Sequence, residues 1–305
     1  MEEMLIGIIV TILIILLIAF VYEESTGFRV VNYDIKTEKK ISRDLKIVFL
    51  SDLHDTNTDC FFDRFKKDDF SKGKHKGANS RLLNAIDCVN PDFVLLAGDM
   101  ITSYMQPKYN SDVTFDFLKE LSENYEVYYG PGNHEQRYLE DKDKFGNKYE
   151  ELKAYSNSLG IHFLDNDMRI LKDENVAVYG LLIPMEFYRR VVTKHFPEDY
   201  VTKSLGAVDE DRFNILLAHN PDHFEDYVKY SPDLILCGHV HGGIVGLPGV
   251  GGVISPQLKL FPKYDFGEYR KNNSTMILSR GIGWHTIPVR IFNKAEIVVI
   301  NISNK

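Results

Sequence analysis

Five short apolar runs that each stop at a polar island constrain this chain more than any other feature. Ile47-Val48-Phe49-Leu50 leads to Asp52-Leu53-His54, Phe93-Val94-Leu95-Leu96-Ala97 to Gly98-Asp99, and Val127-Tyr128-Tyr129 to Gly132-Asn133-His134-Glu135. Ile215-Leu216-Leu217 leads to Ala218-His219-Asn220-Pro221, and Leu234-Ile235-Leu236-Cys237 to Gly238-His239-Val240-His241-Gly242-Gly243. Runs of this length and composition read as buried strands. Ligand sites in sheets with outer helices gather beyond the carboxyl ends of such strands, so distant segments can share one pocket.

The islands are rich in carboxylate, imidazole and carboxamide, the groups that hold divalent transition metals for phosphate chemistry. In Asp52-x-His54, two residues at an extended strand end fall on one side and can address one metal; His239-x-His241 repeats that spacing in a glycine frame. Asp99 offers two carboxylate oxygens able to bridge two ions, and Asn133 a neutral oxygen. His134 stands beside these ligands, free to donate a proton, and Glu135 suits the start of a following helix. Each short motif alone is ordinary turn sequence; their number and order make the argument. Five of the ten histidines lie in the islands, whereas His75, His162, His195 and His223 sit in polar context and read as solvated.

Residues 5–22 carry no charge and, at ~1.5 Å per residue, reach roughly 27 Å, the thickness of a bilayer's hydrocarbon. A cleaved signal peptide would need a basic start and a small-residue cleavage site, and a buried core helix would not be apolar on every face. The segment therefore reads as a single membrane span, giving an anchor with its flank over residues 1–27 and one domain over 28–305. Lys and Arg follow the span (Arg29, Lys36, Lys39, Lys40, Arg43, Lys46) and are missing before it, which places the domain on the cytoplasmic face.

At 305 residues, 44% hydrophobic and 12% aromatic, the chain can bury a large core, and its net charge of −8 argues against a nucleic-acid coat. Cys60, Cys88 and Cys237 match no disulfide or zinc framework. Helices are expected over residues 80–89, 112–123 and 150–159, and further strands over 28–35 (an edge strand), 176–183 and 296–302. Residues 63–77 read as an exposed loop. Alternation of strands and helices, then a strand-rich second half, suits two sheets with outer helices.

Taken in order, the islands resemble the calcineurin-like metallophosphoesterase family over residues 46–302. The resemblance implies an α/β fold, a four-layer α-β-β-α sandwich, here preceded by one transmembrane helix. It implies that Asp52, His54 and His241 hold one metal and Asn133, His219 and His239 a second, with Asp99 bridging and His134 as general acid. Two divalent ions, Mn²⁺ first and Fe or Zn²⁺ as alternatives, would face only two carboxylates, leaving a positive centre that suits a phosphate diester despite the acidic chain. Metal-activated water would attack directly, with no phosphoenzyme.

The family's protein serine/threonine phosphatases continue Gly-Asp with Asp-Arg-Gly, whereas Asp99 is followed by Met100-Ile101-Thr102-Ser103, which disfavours that activity. Asn79-Ser80-Arg81-Leu82-Leu83, Ile254-Ser255-Pro256 within residues 249–261, and Ser279-Arg280-Gly281-Ile282-Gly283 resemble the family's bacterial membrane-anchored branch. The expected function is hydrolysis of a phosphodiester or pyrophosphate bond in a lipid-linked or nucleotide-lipid substrate. The alternatives are a broad phosphomonoesterase or nucleotide hydrolase, and a catalytically silent membrane-tethered binding protein. Arg81 and Arg280 are candidates for a non-transferred phosphate or for ordinary structural pairing, and Trp284 and His285 for the pocket mouth. Oligomeric state is not legible.

Overall fold

The structure, a computed structural model, describes residues 1–59, 70, 73–104, 110–171, 174–189, 194–243, 245–247, 251–254, 261–284 and 289–305. Most of the loop at 63–77, much of the segment at 249–261, Cys60 and His285 lie outside them.

Two six-stranded sheets form the centre. The first has the order β1 (Phe28–Thr37), β14 (Ala295–Asn304), β2 (Leu45–Leu50), β3 (Phe93–Ala97), β4 (Val127–Gly130), β5 (His162–Phe163). Strands β2 to β5 are parallel, whereas β14 runs antiparallel to β2 and carries β1 at the edge. The second sheet has the order β12 (Gly267–Lys271), β13 (Ser274–Leu278), β9 (Leu234–Cys237), β8 (Phe213–Leu217), β7 (Val176–Gly180), β6 (Asp167–Leu171). A short ribbon pairs β10 (Val245–Leu247) with β11 (Gly251–Ile254).

The period of two in the strands sorts side chains into three cores. Ile47 and Phe49 of β2, Leu95 of β3, Leu217 of β8 and Leu236 of β9 meet between the sheets. Val48, Leu50, Val94 and Leu96 point the other way, against helices α2 (Ser80–Val89), α3 (Asp112–Ser122), α4 (Asn133–Glu140), α5 (Lys142–Phe145) and α6 (Lys148–Ser158). Leu216, Ile235, Cys237 and Met276 pack on α7 (Tyr200–Leu205) and α8 (Phe224–Tyr230). Three apolar layers between four layers of structure make the α-β-β-α sandwich that the family resemblance implied. Cys237 is a buried core residue.

The apolar N-terminal segment is one helix, α1 (Glu2–Thr26), with a mean hydropathy of 3.4 over its best window and none of that window buried against the protein. Gly27 alone separates it from β1. Its C-terminal end is fastened: Ser25 Oγ accepts from Arg290 N at 2.9 Å, Trp284 Nε1 donates to Ser25 O at 2.7 Å, and Phe20 packs on Phe292 with ring centroids 5.2 Å apart.

Candidate metal centre

All five islands meet at one end of the sandwich, beyond β2, β3, β4, β8 and β9. The first two loops are zipped together by backbone bonds, Asp52 N to Gly98 O at 3.0 Å, His54 N to Asp99 O at 3.0 Å and Asp55 N to Met100 O at 3.1 Å. Gly98 has φ +86°, and a Cβ there would strike the backbone of Gly132, so the second and third loops also touch. Close approach of backbones is what the glycine makes possible.

Asp52 and His54 do not stand on the extended backbone that their spacing predicts. Asp52, His54, Asp99, His239 and His241 all have φ between 52° and 74°, the left-handed region that non-glycine residues rarely occupy. Asp52 and His54 still converge, with His54 Nε2 3.8 Å from Asp52 Oδ1, but by a turn. His239 and His241 diverge. His241 Nε2 lies 3.0 Å from His54 Nε2 and 3.3 Å from Asp52 Oδ1, whereas His239 joins His219 and Asp99.

Asp99 is the hub. Its Oδ1 accepts from His134 N at 2.7 Å; its Oδ2 lies 3.1 Å from His219 Nε2 and 3.9 Å from both His54 Nε2 and His134 Nε2. Among the described residues three overlapping ligand-like groups result, Asp52 with His54 and His241, His54 with Asp99 and His134, and Asp99 with His219 and His239. His219 Nδ1 donates to Ala97 O at 2.6 Å, which turns Nε2 inward, the usual way a second bond orients a ligating imidazole. One end of the Asn133 carboxamide lies 2.6 Å from His239 Nδ1 and 3.2 Å from Asp99 Oδ2: with its nitrogen turned there it donates to both, and with its oxygen turned there it can join them around a cation. The donor set therefore fits a divalent metal.

Electrostatics agree. Burial opposes the charge of Asp52 and Asp99, but the surrounding imidazoles outweigh it and hold both carboxyls below their ordinary range. Burial pushes His54 and His239 well below the usual imidazole range. Anionic carboxylates and neutral imidazoles are the states a metal requires. His219 is the exception: against the cost of burial, Asp99 and Asp52 raise it to about 10.

His134 is buried, and burial lowers it to about 4. The Ser103 amide donates to its Nδ1 at 2.7 Å, which makes Nδ1 an acceptor and puts the ring proton on Nε2, toward Asp99.

Three residues were not singled out by the sequence as site residues. Glu135 accepts from Asp99 N (2.9 Å), Met100 N (3.0 Å), Gly132 N (2.8 Å) and Tyr129 OH (2.7 Å), a role that its position three residues after Gly132 at a helix start could have suggested. Arg137, one turn along α4, donates to Ser103 Oγ at 3.1 Å and sets positive charge beside His134. Tyr188 lays its ring 5.0 Å from that of His239.

Other candidates take structural places. Arg280 binds Asn293 Oδ1 at 3.1 Å and covers the Phe266 ring, and Arg81 lies 4.8 Å over the Phe28 ring. Trp284 N donates to Thr56 Oγ1 at 3.3 Å, two residues beyond His54. His223, expected in solvent, is buried: it stacks on Phe196 with centroids 4.1 Å apart and donates to Phe187 O. His75 is not freely solvated either, since its Nδ1 lies 2.6 Å from Glu120 Oε2.

The chain is 24% identical over 265 residues to a metallophosphoesterase of Campylobacter jejuni, covering 87% of this chain and 61% of that one. It is 26% identical to a transmembrane protein with metallophosphoesterase domain from Danio rerio (89% of this chain, 56% of the relative). It is 27% identical to the phosphodiesterase YaeI of Escherichia coli (77% and 74%). The chain thus spans about six tenths of the length of the first two relatives. The family model for calcineurin-like phosphoesterases matches residues 45–243, from β2 to the last glycine of the His239 island, and on that match the chain belongs to the calcineurin-like phosphoesterase family.

Proposed function

We propose that this chain is a membrane-anchored, dinuclear-metal phosphoesterase that hydrolyses a phosphodiester or pyrophosphate bond. Asp52, His54 and His241 would hold one divalent ion, Mn²⁺ first among the candidates, and Asn133, His219 and His239 the other, with Asp99 between them. Ions bound there would supply a water acidified toward neutral pH and a positive field on the phosphoryl oxygens. The chain's own part is orientation. Glu135 fixes the Asp99 loop, Ala97 O fixes His219, and Gly98 lets the loops close.

His134 would serve the leaving oxygen from Nε2. The Ser103 amide at Nδ1 opposes a second ring proton, so its contribution begins as a hydrogen bond to the departing oxygen and becomes proton transfer only if that amide yields. Arg137 adds positive charge on the same side. A diester is supported by the relative named a phosphodiesterase.

The membrane reading rests on the length and exposure of α1 and on the relative named a transmembrane protein, and the cytoplasmic face on the Lys and Arg that follow the span. Because one residue separates α1 from β1, the centre would work near the membrane surface, on a lipid-linked or nucleotide-lipid phosphate.

The observation that carries the proposal is Asp99 Oδ2, onto which imidazoles from three separate loops converge within 3.9 Å. The full chain in detergent with Mn²⁺ should cleave bis-p-nitrophenyl phosphate faster than p-nitrophenyl phosphate, and Asp99→Asn should abolish both activities. Equal activity in that variant would refute the assignment, and a faster monoester would favour a phosphomonoesterase.

A further inference from the structure

Where α1 meets the domain, Leu17, Ile18, Val21 and Thr26 on one side and Trp284 and Val289 on the other enclose a groove of about 500 Å³, within the range of small-molecule sites. Its walls are apolar. One wall is the C-terminal part of the helix read as the span, whose upstream side chains are exposed, Leu13 by 59% and Leu16 by 59%. A groove continuous with that surface opens onto hydrocarbon when α1 is in a bilayer, so its natural occupant is a lipid acyl chain.

The other wall leads to the metal centre. Trp284 holds the end of α1 through Ser25 O and bonds Thr56 through its amide; the preceding residue, Gly283, donates to Asp52 O at 2.7 Å. Trp284 therefore lines the groove while its neighbour Gly283 backs a candidate metal ligand. The fastening of α1 keeps the two in register: Arg290 N bonds Ser25 Oγ while its guanidinium reaches Gly283 O at 2.7 Å.

We propose that this groove seats an acyl chain of the substrate, so that a lipid phosphate is presented to the centre with its tail along α1. The inference rests on the reading of α1 as a span and of the centre as a phosphodiesterase. It adds a binding site for the lipid tail itself.

The test uses the full chain in phosphatidylcholine nanodiscs with Mn²⁺ and two activated diesters, p-nitrophenyl methyl phosphate and p-nitrophenyl dodecyl phosphate. Val289→Phe fills the groove, and Val21→Phe is a second filling variant. A chain shut out of the groove stays in the bilayer, so what it loses is packing and the placement of its phosphate at the centre rather than shelter from water, and the dodecyl-to-methyl ratio of kcat/KM should fall several-fold in both variants. Partition of the dodecyl ester into the bilayer is common to all three proteins and cancels in the comparison. A ratio that stays at the wild-type value, or rates that fall in parallel, overturn the proposal.

Trp284 is the single tryptophan of the chain, which gives a readout independent of catalysis. A bromododecyl phosphate should quench its fluorescence more strongly in the wild type than in either variant. Equal quenching overturns the groove whether or not any diester is cleaved. A quenching difference with no change in the rate ratio assigns the groove to a structural lipid and overturns the substrate role. Failure of the wild type to cleave the methyl ester refutes the phosphodiesterase reading alone, and quenching then still decides whether the groove takes a chain.

Discussion

Glu135 Oε2 accepts the backbone N–H of Asp99 at 2.9 Å, so a buried carboxylate holds the loop at the hub of the centre. Burial, then the charge of Asp99, raises Glu135 to about 7. Glu135→Gln keeps the size but turns one acceptor into a donor facing amide N–H groups. Stability should fall by about 1–3 kcal/mol and Mn²⁺ affinity by roughly ten- to a hundredfold, read as melting temperature with and without metal. Unaltered Mn²⁺ affinity would show that these bonds do not position Asp99.

His219 makes the centre sensitive to pH. Its folded value of about 10 lies above the ordinary 6.5. In metal-free protein it therefore contributes stability that is full below pH 6.5 and is lost as pH rises through about 10. A cation at Nε2 must displace that proton. Mn²⁺ affinity should climb with pH by up to about tenfold per unit, and binding near neutral pH should release a proton, measured by calorimetry in buffers of different ionisation enthalpy. Affinity independent of pH would refute this account.

Leaving-group dependence reports on His134. A nitrophenolate departs unaided, whereas an alkoxide needs a donor. His134→Ala should cost roughly 10²–10⁴-fold on a dialkyl phosphate and much less on bis-p-nitrophenyl phosphate. Equal losses on the two would place His134 in binding or orientation.

Gly98→Ala tests the contact between the second and third loops. Its φ of +86° disfavours any side chain, and the new Cβ would meet Gly132. A loss of about 1–3 kcal/mol is expected from the backbone alone, with further loss from the clash, read by denaturant unfolding. A variant as stable as the parent would show that the loops can separate.

Arg290 is buried, with its guanidinium donating to the carbonyls of Arg280 (2.9 Å), Gly283 (2.7 Å) and Asn293 (3.3 Å). Arg290→Met would leave those carbonyls without donors, at about 1–3 kcal/mol each for a buried polar group. Because the same loop backs Asp52, Mn²⁺ affinity should fall as well. A destabilised variant with normal Mn²⁺ affinity would separate the loop from the centre.

Much of this molecule was legible in its sequence, because burial on both faces leaves a local signature. The runs at 93–97 and 234–237 are β3 and β9 to the residue, the helix at 80–89 is α2, and residues 28–35 fall in the edge strand β1. The helix expected from 150 begins at Lys148, and the turn or helix expected to start at Glu135 is α4, which begins at Asn133. β6, β12 and β13 carried too mixed a pattern to be placed, since β6 and β12 lie at sheet edges with polar, exposed faces.

The sequence by itself determined which side chains stand at strand ends, because an apolar run that stops at a polar residue needs no knowledge of its neighbours. Tertiary structure alone decided how those side chains are shared. His239 and His241, two residues apart, part company because left-handed backbone at both turns them toward different partners. β14 lies between β1 and β2, which brings Arg290, a few residues before it, to the end of α1 and to the loop behind Asp52. Left-handed turns and strand order are held by hydrogen bonds between residues far apart in the chain, such as Asp52 N to Gly98 O, and no local pattern encodes them.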